Sequence, residues 1–293
     1  MNDPTQVLRD FKPAKEFFIG IDSDGCVFDS MEIKHKECFT PMFIKHFNLQ
    51  AVSKYAREVW EFVNLYSKTR GANRFPALVR SLNLLRERPQ VKARGVAVEG
   101  TEALEDWIAR ESKLGNATLA GEVKNGNQKL AQIKHWSDAV NHAIEDIVKG
   151  VPPFPLFAES LEKMAARADT MVISQTPTDA LEREWLEHGI RSGVRIIAGQ
   201  ELGTKTEHLK LAAKDKYPAE KILMIGDAPG DYKAAKVNGA LFYPIIPGDE
   251  ETSWKRFHAE ALDRFFGGTF AGEYEAALVK RFDASLPEAP PWA

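Results

Sequence analysis

The chain has 293 residues, more than one ordinary compact unit needs and enough for two. Its formal charge of -3 gives no basic excess for nucleic acid, and no apolar run approaches the ~20 residues of a membrane helix. Cys26 and Cys38 stand in no metal-ligand spacing and form no disulfide framework, and the first residues lack the basic-then-apolar order of a signal peptide. A soluble, reducing, cytoplasmic setting is therefore expected.

In chain order, the run Phe17-Phe18-Ile19-Gly20-Ile21 reads as a short buried strand and leads straight into Asp22-Ser23-Asp24-Gly25. Apolar residues at helical spacing then recur: Phe39, Met42, Phe43 and Phe47; Tyr55, Val59, Phe62 and Val63; Phe75, Leu78, Leu82 and Leu85; Ile133, Val140 and Ile144. Between the last two groups, residues 113–128 read as a loop. The prolines of VPPFPLF, residues 151–157, fit neither a helix interior nor a central strand, so a hinge is expected there. Beyond it, helices are expected at 158–167, 177–188, 205–215 and 231–237, alternating with strands at 170–174, 194–197, 221–226 and 240–244. Such alternation predicts an α/β fold, a Rossmann-like parallel sheet core with helices on both faces. The strand at 17–21 joins that sheet, which makes 31–149 an inserted α-helical cap domain and leaves a discontinuous core of 1–30 and 150–293. Thr176 is expected as a helix N-cap, Thr204 and Glu207 as a capping box that puts Lys205 at the first helical position, and PEAPPWA as a frayed end.

Alternate residues of a strand point the same way, so an extended 22–24 would project Asp22 and Asp24 together, with Gly25 free to turn. Carboxylates this close repel, and a divalent cation or a shared proton relieves them. A calcium-loop reading fails, because Cys26, Val27 and Ile33 stand where ligands or glycine are needed. Asp-x-Asp-Gly alone is a weak signal, since such tetrapeptides also serve as turns. Its company strengthens it: Ser174 ends a second predicted strand, Lys205 starts a helix, and Gly226-Asp227 with Asp231 ends a third strand. Each has a structural reading when taken singly. In order, all fall at strand or helix ends that a parallel sheet gathers at one edge.

This series resembles the haloacid dehalogenase superfamily in its phosphatase branch, over residues 17–245. Asp22, Asp24 and Gly25 match the first motif, Ser174 the second, Lys205 the third ahead of Lys210 and Lys214, and Gly226, Asp227 and Asp231 the fourth. Cys26 departs from the usual Thr or Val. The resemblance implies a magnesium-dependent hydrolase of phosphate monoesters of a small metabolite. Asp22 would be the nucleophile and Asp24 the acid and base. Asp22, the Asp24 carbonyl and Asp227 would hold Mg2+, supported by Asp231, while Ser174, Lys205 and Gly25 would bind phosphate. A phosphomutase or a non-catalytic phosphate-binding protein are the alternatives. Within SKTRGANRF, Arg70 and Arg74 are candidate substrate contacts from the cap. The expected partner is a small phosphorylated metabolite, with no nucleic acid and no membrane, and the expected state is monomer or homodimer.

Overall fold

The computed structural model describes residues 3–292. One compact unit combines the residues up to Ser30 with Gly150–Pro287; the other combines Met31–Lys149 with the residues from Glu288 onward.

The first unit is built on five parallel strands: β1 (Phe17–Ile21), β2 (Ala168–Ile173), β3 (Ile196–Ala198), β4 (Ile222–Gly226) and β5 (Leu241–Pro244). Their order is β3-β2-β1-β4-β5, so β1 is central and the chain changes direction beside it. Both faces are covered, which is why the strands read as unbroken apolar runs. Alternate residues feed opposite layers. Phe17, Ile19 and Ile21 pack with Trp185, Phe257 and Phe265; Phe18 packs with Met171, Met224 and Phe242.

The helices flanking the sheet include α1 (Phe157–Arg167), α2 (Thr178–Glu187), α3 (Lys205–Ala212) and α4 (Pro229–Val237). The expected capping box opens α3, with Thr204 accepting from the Glu207 N–H. Thr176 is not the cap of α2, contrary to expectation. That helix begins at Thr178, whose N–H and hydroxyl both donate to Glu201 Oε2, at 3.0 and 2.8 Å. A carboxylate from the neighbouring loop thus does the capping and frees the Thr176 hydroxyl.

The second unit is helical, its longest members being Ser53–Asn64, Arg74–Glu87 and Ala131–Ile147. Trp60, Trp107 and Trp136 are fully buried in its core. The loop expected at 113–128 contains a helix, Asn116–Lys124. Its glycines and asparagines suggest turns, but Leu119 is completely buried and the Gly115 N–H donates to the Thr118 hydroxyl. Tertiary burial overrides the composition. The expected core ran to residue 293, and its last residues were expected to fray. Trp292 instead lies in the helical unit, 5.5 Å from the Phe62 ring and 4.3 Å beneath the Arg88 guanidinium.

Candidate active site

The ladder of β1 continues one residue past its end, where the Asp22 N–H donates to the Ile225 carbonyl at 3.0 Å. The chain then folds back. The N–H groups of Cys26, Val27 and Phe28 all point at the Ser23 carbonyl, and Gly25 turns through a φ of 73°, a region that side chains disfavour. Trp254 clamps this turn by donating to the Cys26 carbonyl at 2.7 Å, and Trp185 donates to the Ser23 hydroxyl at 3.0 Å. The Asp22 carboxylate is pinned at both oxygens, Oδ1 by the Ser23 N–H at 2.8 Å and Oδ2 by Lys205 Nζ at 2.5 Å.

Lys205 also donates to Asp231 Oδ1 at 2.6 Å, while Asp231 Oδ2 accepts from the Ala228 N–H that precedes α4. Asp231 packs so closely on the end of β4 that a Cβ at Gly226 would fall 2.4 Å from its side chain. Asp22, Asp227 and Asp231 are all buried, and one oxygen from each lies within 4.8 Å of the others. Burial, set against Lys205 and added to by a neighbouring carboxylate, raises both Asp22 and Asp231 to about 6. Burial alone would favour a neutral Lys205, but Asp22 and Asp231 outweigh it and hold the ammonium charged. They also offset the unfavourable place of a cation at a helix start.

Three buried carboxylates are thus drawn together, two of them on one ammonium. Clustered hard oxygen donors suit a small divalent cation such as magnesium, so the residues fit the group that the resemblance implies. A pH effect follows. Acids whose folded pKa is raised hold protons that the unfolded chain releases, so stability from Asp22 and Asp231 is full below ~4 and is lost as pH rises through about 6. A divalent cation bound there would have to displace those protons. The rise in Tm on adding magnesium is therefore expected to be larger at pH 7.5 than at pH 5.0. An equal rise at both would contradict the cluster as its site.

Ser174 follows β2 directly and is 2% exposed; its hydroxyl accepts the Thr176 N–H at 3.2 Å, which leaves its hydrogen to donate outward. The Asp24 carboxyl is not part of the acidic cluster. It is held by Ser30 and Thr176, whose hydroxyls donate to its two oxygens. Sequence reasoning missed these two residues. Thr176 stands two positions beyond Ser174, but the helix pattern after it made a cap the natural reading. Lys210 is exposed and makes no contact with the cluster among the described residues, so Lys205 is the lysine of the site. Burial and the neighbouring Asp227 and Asp22 push the Cys26 thiol well above its ordinary value, which suits an inert packing residue.

The two cap arginines are not solvated loop cations. Arg70 is 3% exposed and donates to the Leu65 carbonyl at 3.0 Å. Arg74 opens the helix Arg74–Glu87, lies 5.0 Å over the Phe39 ring, and donates from Nη1 to the Ser137 carbonyl, the Ser137 hydroxyl and Asn141 Oδ1. These bonds tie two helices of its own unit together.

No family model matches the chain, and no curated protein matches it. Solved structures do resemble it. One, provisionally described as a β-phosphoglucomutase from Bacteroides vulgatus, is 15% identical over 89% of this chain and 91% of its own, with a TM-score of 0.48. Another, provisionally described as a phosphoglycolate phosphatase from Lactobacillus delbrueckii subsp. bulgaricus, is 13% identical over 84% of this chain and 92% of its own, at 0.46. A haloacid dehalogenase-type hydrolase from Bacillus subtilis, described as bound to magnesium, is 11% identical over 78% and 86%, at 0.45. The chain is an α/β protein with a Rossmann-like parallel sheet core, in which Asp22, Ser174 and Asp227 directly follow β1, β2 and β4 and Lys205, at the start of α3, bonds Asp22 and Asp231.

Proposed function

We propose that the chain is a magnesium-dependent phosphatase that hydrolyses phosphate monoesters of a small metabolite through an aspartyl-phosphate. The observation that carries this reading is the buried Asp22, Asp227 and Asp231 cluster with its one shared Lys205, at the end of the central strand. Structural ion pairs are normally balanced. Asp169, at the other end of β2, shows the contrast: its buried carboxylate is satisfied by Tyr217, Arg195 and two backbone N–H groups. Three buried carboxylates gathered within 4.8 Å of one another, rather than one held singly, point to a bound cation and to chemistry.

An Asp22 oxygen attacks phosphorus, and the bond to the leaving oxygen breaks with its electron pair. Asp24 supplies that oxygen with a proton. In the second half, Asp24 takes a proton from water as the water attacks the aspartyl-phosphate, which releases phosphate and restores Asp22. Ser174 and Lys205 donate to phosphoryl oxygens, where charge grows in the transition state. Asp22, Asp227 and the Asp24 carbonyl would hold magnesium, which when bound offsets carboxylate repulsion and neutralises phosphoryl charge.

The test is phosphate release from p-nitrophenyl phosphate and a panel of phosphorylated metabolites, with magnesium or with chelator. Magnesium-dependent release in step with substrate loss supports the reading. A phosphorylated isomer with little free phosphate indicates a mutase, and no turnover with metal bound indicates a binding protein. Asp227→Ala removes one of three protein ligands. It is expected to raise the magnesium needed for half-maximal activity by at least ~tenfold, with partial recovery at high metal. An unchanged magnesium requirement would remove Asp227 from the metal set.

A further inference from the structure

Asp24 is held by hydroxyls from two different segments of the chain. Thr176 Oγ1 donates to Asp24 Oδ2 at 2.7 Å, and Ser30 donates to Oδ1. The same Thr176 gives its N–H to the Ser174 hydroxyl at 3.2 Å. Its carbonyl accepts the Gln200 N–H at 3.1 Å. Gly199 packs so tightly on this turn that a Cβ there would lie 2.6 Å from the Thr176 carbonyl oxygen. Glu201 holds the next residue but one, Thr178, through two bonds. The loop is thus fixed from behind by residues 199–201, while its front carries Ser174 and Thr176.

We infer that Thr176 is a positioning residue for Asp24, and that the 174–176 turn aligns the proton donor with the phosphoryl site on one rigid piece of backbone. This inference rests on the phosphatase reading. Ser174 faces the phosphoryl oxygens; Thr176 fixes the carboxyl that serves the leaving oxygen. The bond suits both protonation states of Asp24. An acid proton on one lone pair leaves the oxygen another to accept the threonine hydroxyl, and once the proton has passed to the leaving oxygen, the carboxylate accepts the same bond. Hydroxyls on both oxygens orient the carboxyl plane, and Thr176 supplies one of them. Catalysis by a placed acid is sensitive to such rotation, because the proton must meet the departing oxygen within hydrogen-bond reach.

Thr176→Val keeps the shape and removes the donor; Thr176→Ser keeps the donor. The readout is kcat/KM for p-nitrophenyl phosphate, whose leaving group departs without a proton, and for phenyl phosphate, whose leaving group needs one. General acids contribute roughly 10²–10⁴-fold where they are needed. Thr176→Val is therefore expected to cost phenyl phosphate at least ~tenfold more than p-nitrophenyl phosphate, with the magnesium requirement unchanged. Thr176→Ser is expected to stay within about threefold of the wild type on both. Equal losses on the two esters, no loss on phenyl phosphate, or failure of serine to substitute would overturn the inference. If the wild-type chain turns over neither ester, the phosphatase reading itself falls, and this inference with it.

Discussion

Asp22→Asn is expected to fold, to bind magnesium more weakly, and to lose turnover by at least about 10⁴-fold. An amide nitrogen or oxygen is too poor a nucleophile to attack phosphorus. The site adds a second reason. Both oxygens of Asp22 accept bonds, from the Ser23 N–H and from Lys205, so either orientation of an amide sets one donor against another. Stability should change little, because the lost ion pair is offset by relief of repulsion from Asp227, and Lys205 keeps Asp231. The checks are a thermal melt beside a turnover assay at saturating magnesium. Activity within tenfold of wild type in the folded variant would exclude Asp22 as nucleophile.

Lys205→Met is expected to damage both stability and catalysis. Methionine fills the same space but leaves Asp22 and Asp231 buried without their shared cation. Removing one partner from a buried ion pair costs about 3–5 kcal/mol, and losing a donor to a developing phosphoryl charge costs on the order of 10²–10³ in kcat. The stability loss has a sign in pH. Without the lysine, the carboxylates rise further above their unfolded values, so the variant is most nearly wild type in acid and falls away as pH increases. Magnesium should restore part of the stability and little of the rate. Adding Asp231→Asn should recover stability further without restoring turnover. Urea melts at pH 5.0 and 7.5 separate these outcomes; a variant as stable as wild type at both would show that the lysine is not the cluster's counter-ion.

The fold was legible where local chemistry and burial agree. Strands β1 and β4 are buried on both faces, so they stand out as apolar runs, and each stops at an aspartate that cannot continue the core. Thr204 and Glu207 mark the start of α3 and so single out Lys205 among nearby lysines. The contacts of Asp24 were hidden for a topological reason. Thr176 lies 152 residues away in sequence and meets Asp24 only because β1 and β2 are neighbours, so no spacing along the chain reveals the pair. The contacts of Arg74 were hidden for another reason. A sequence displays a charge, and whether that charge faces water or bridges Phe39, Ser137 and Asn141 is settled by packing. The helix Asn116–Lys124 was obscured by glycine and asparagine, whose turn preference yields to the burial of one leucine.

Phosphorus is expected to pass through a covalent bond to Asp22. Rapid acid quenching during turnover of p-nitrophenyl phosphate, followed by peptide mass spectrometry, tests it directly. A phosphoryl group is expected on Asp22 in the wild-type chain, accumulating within the first turnover and absent from Asp22→Asn. Steady turnover with no phosphorylated peptide in the quench, or with the phosphoryl group on another residue, would contradict it.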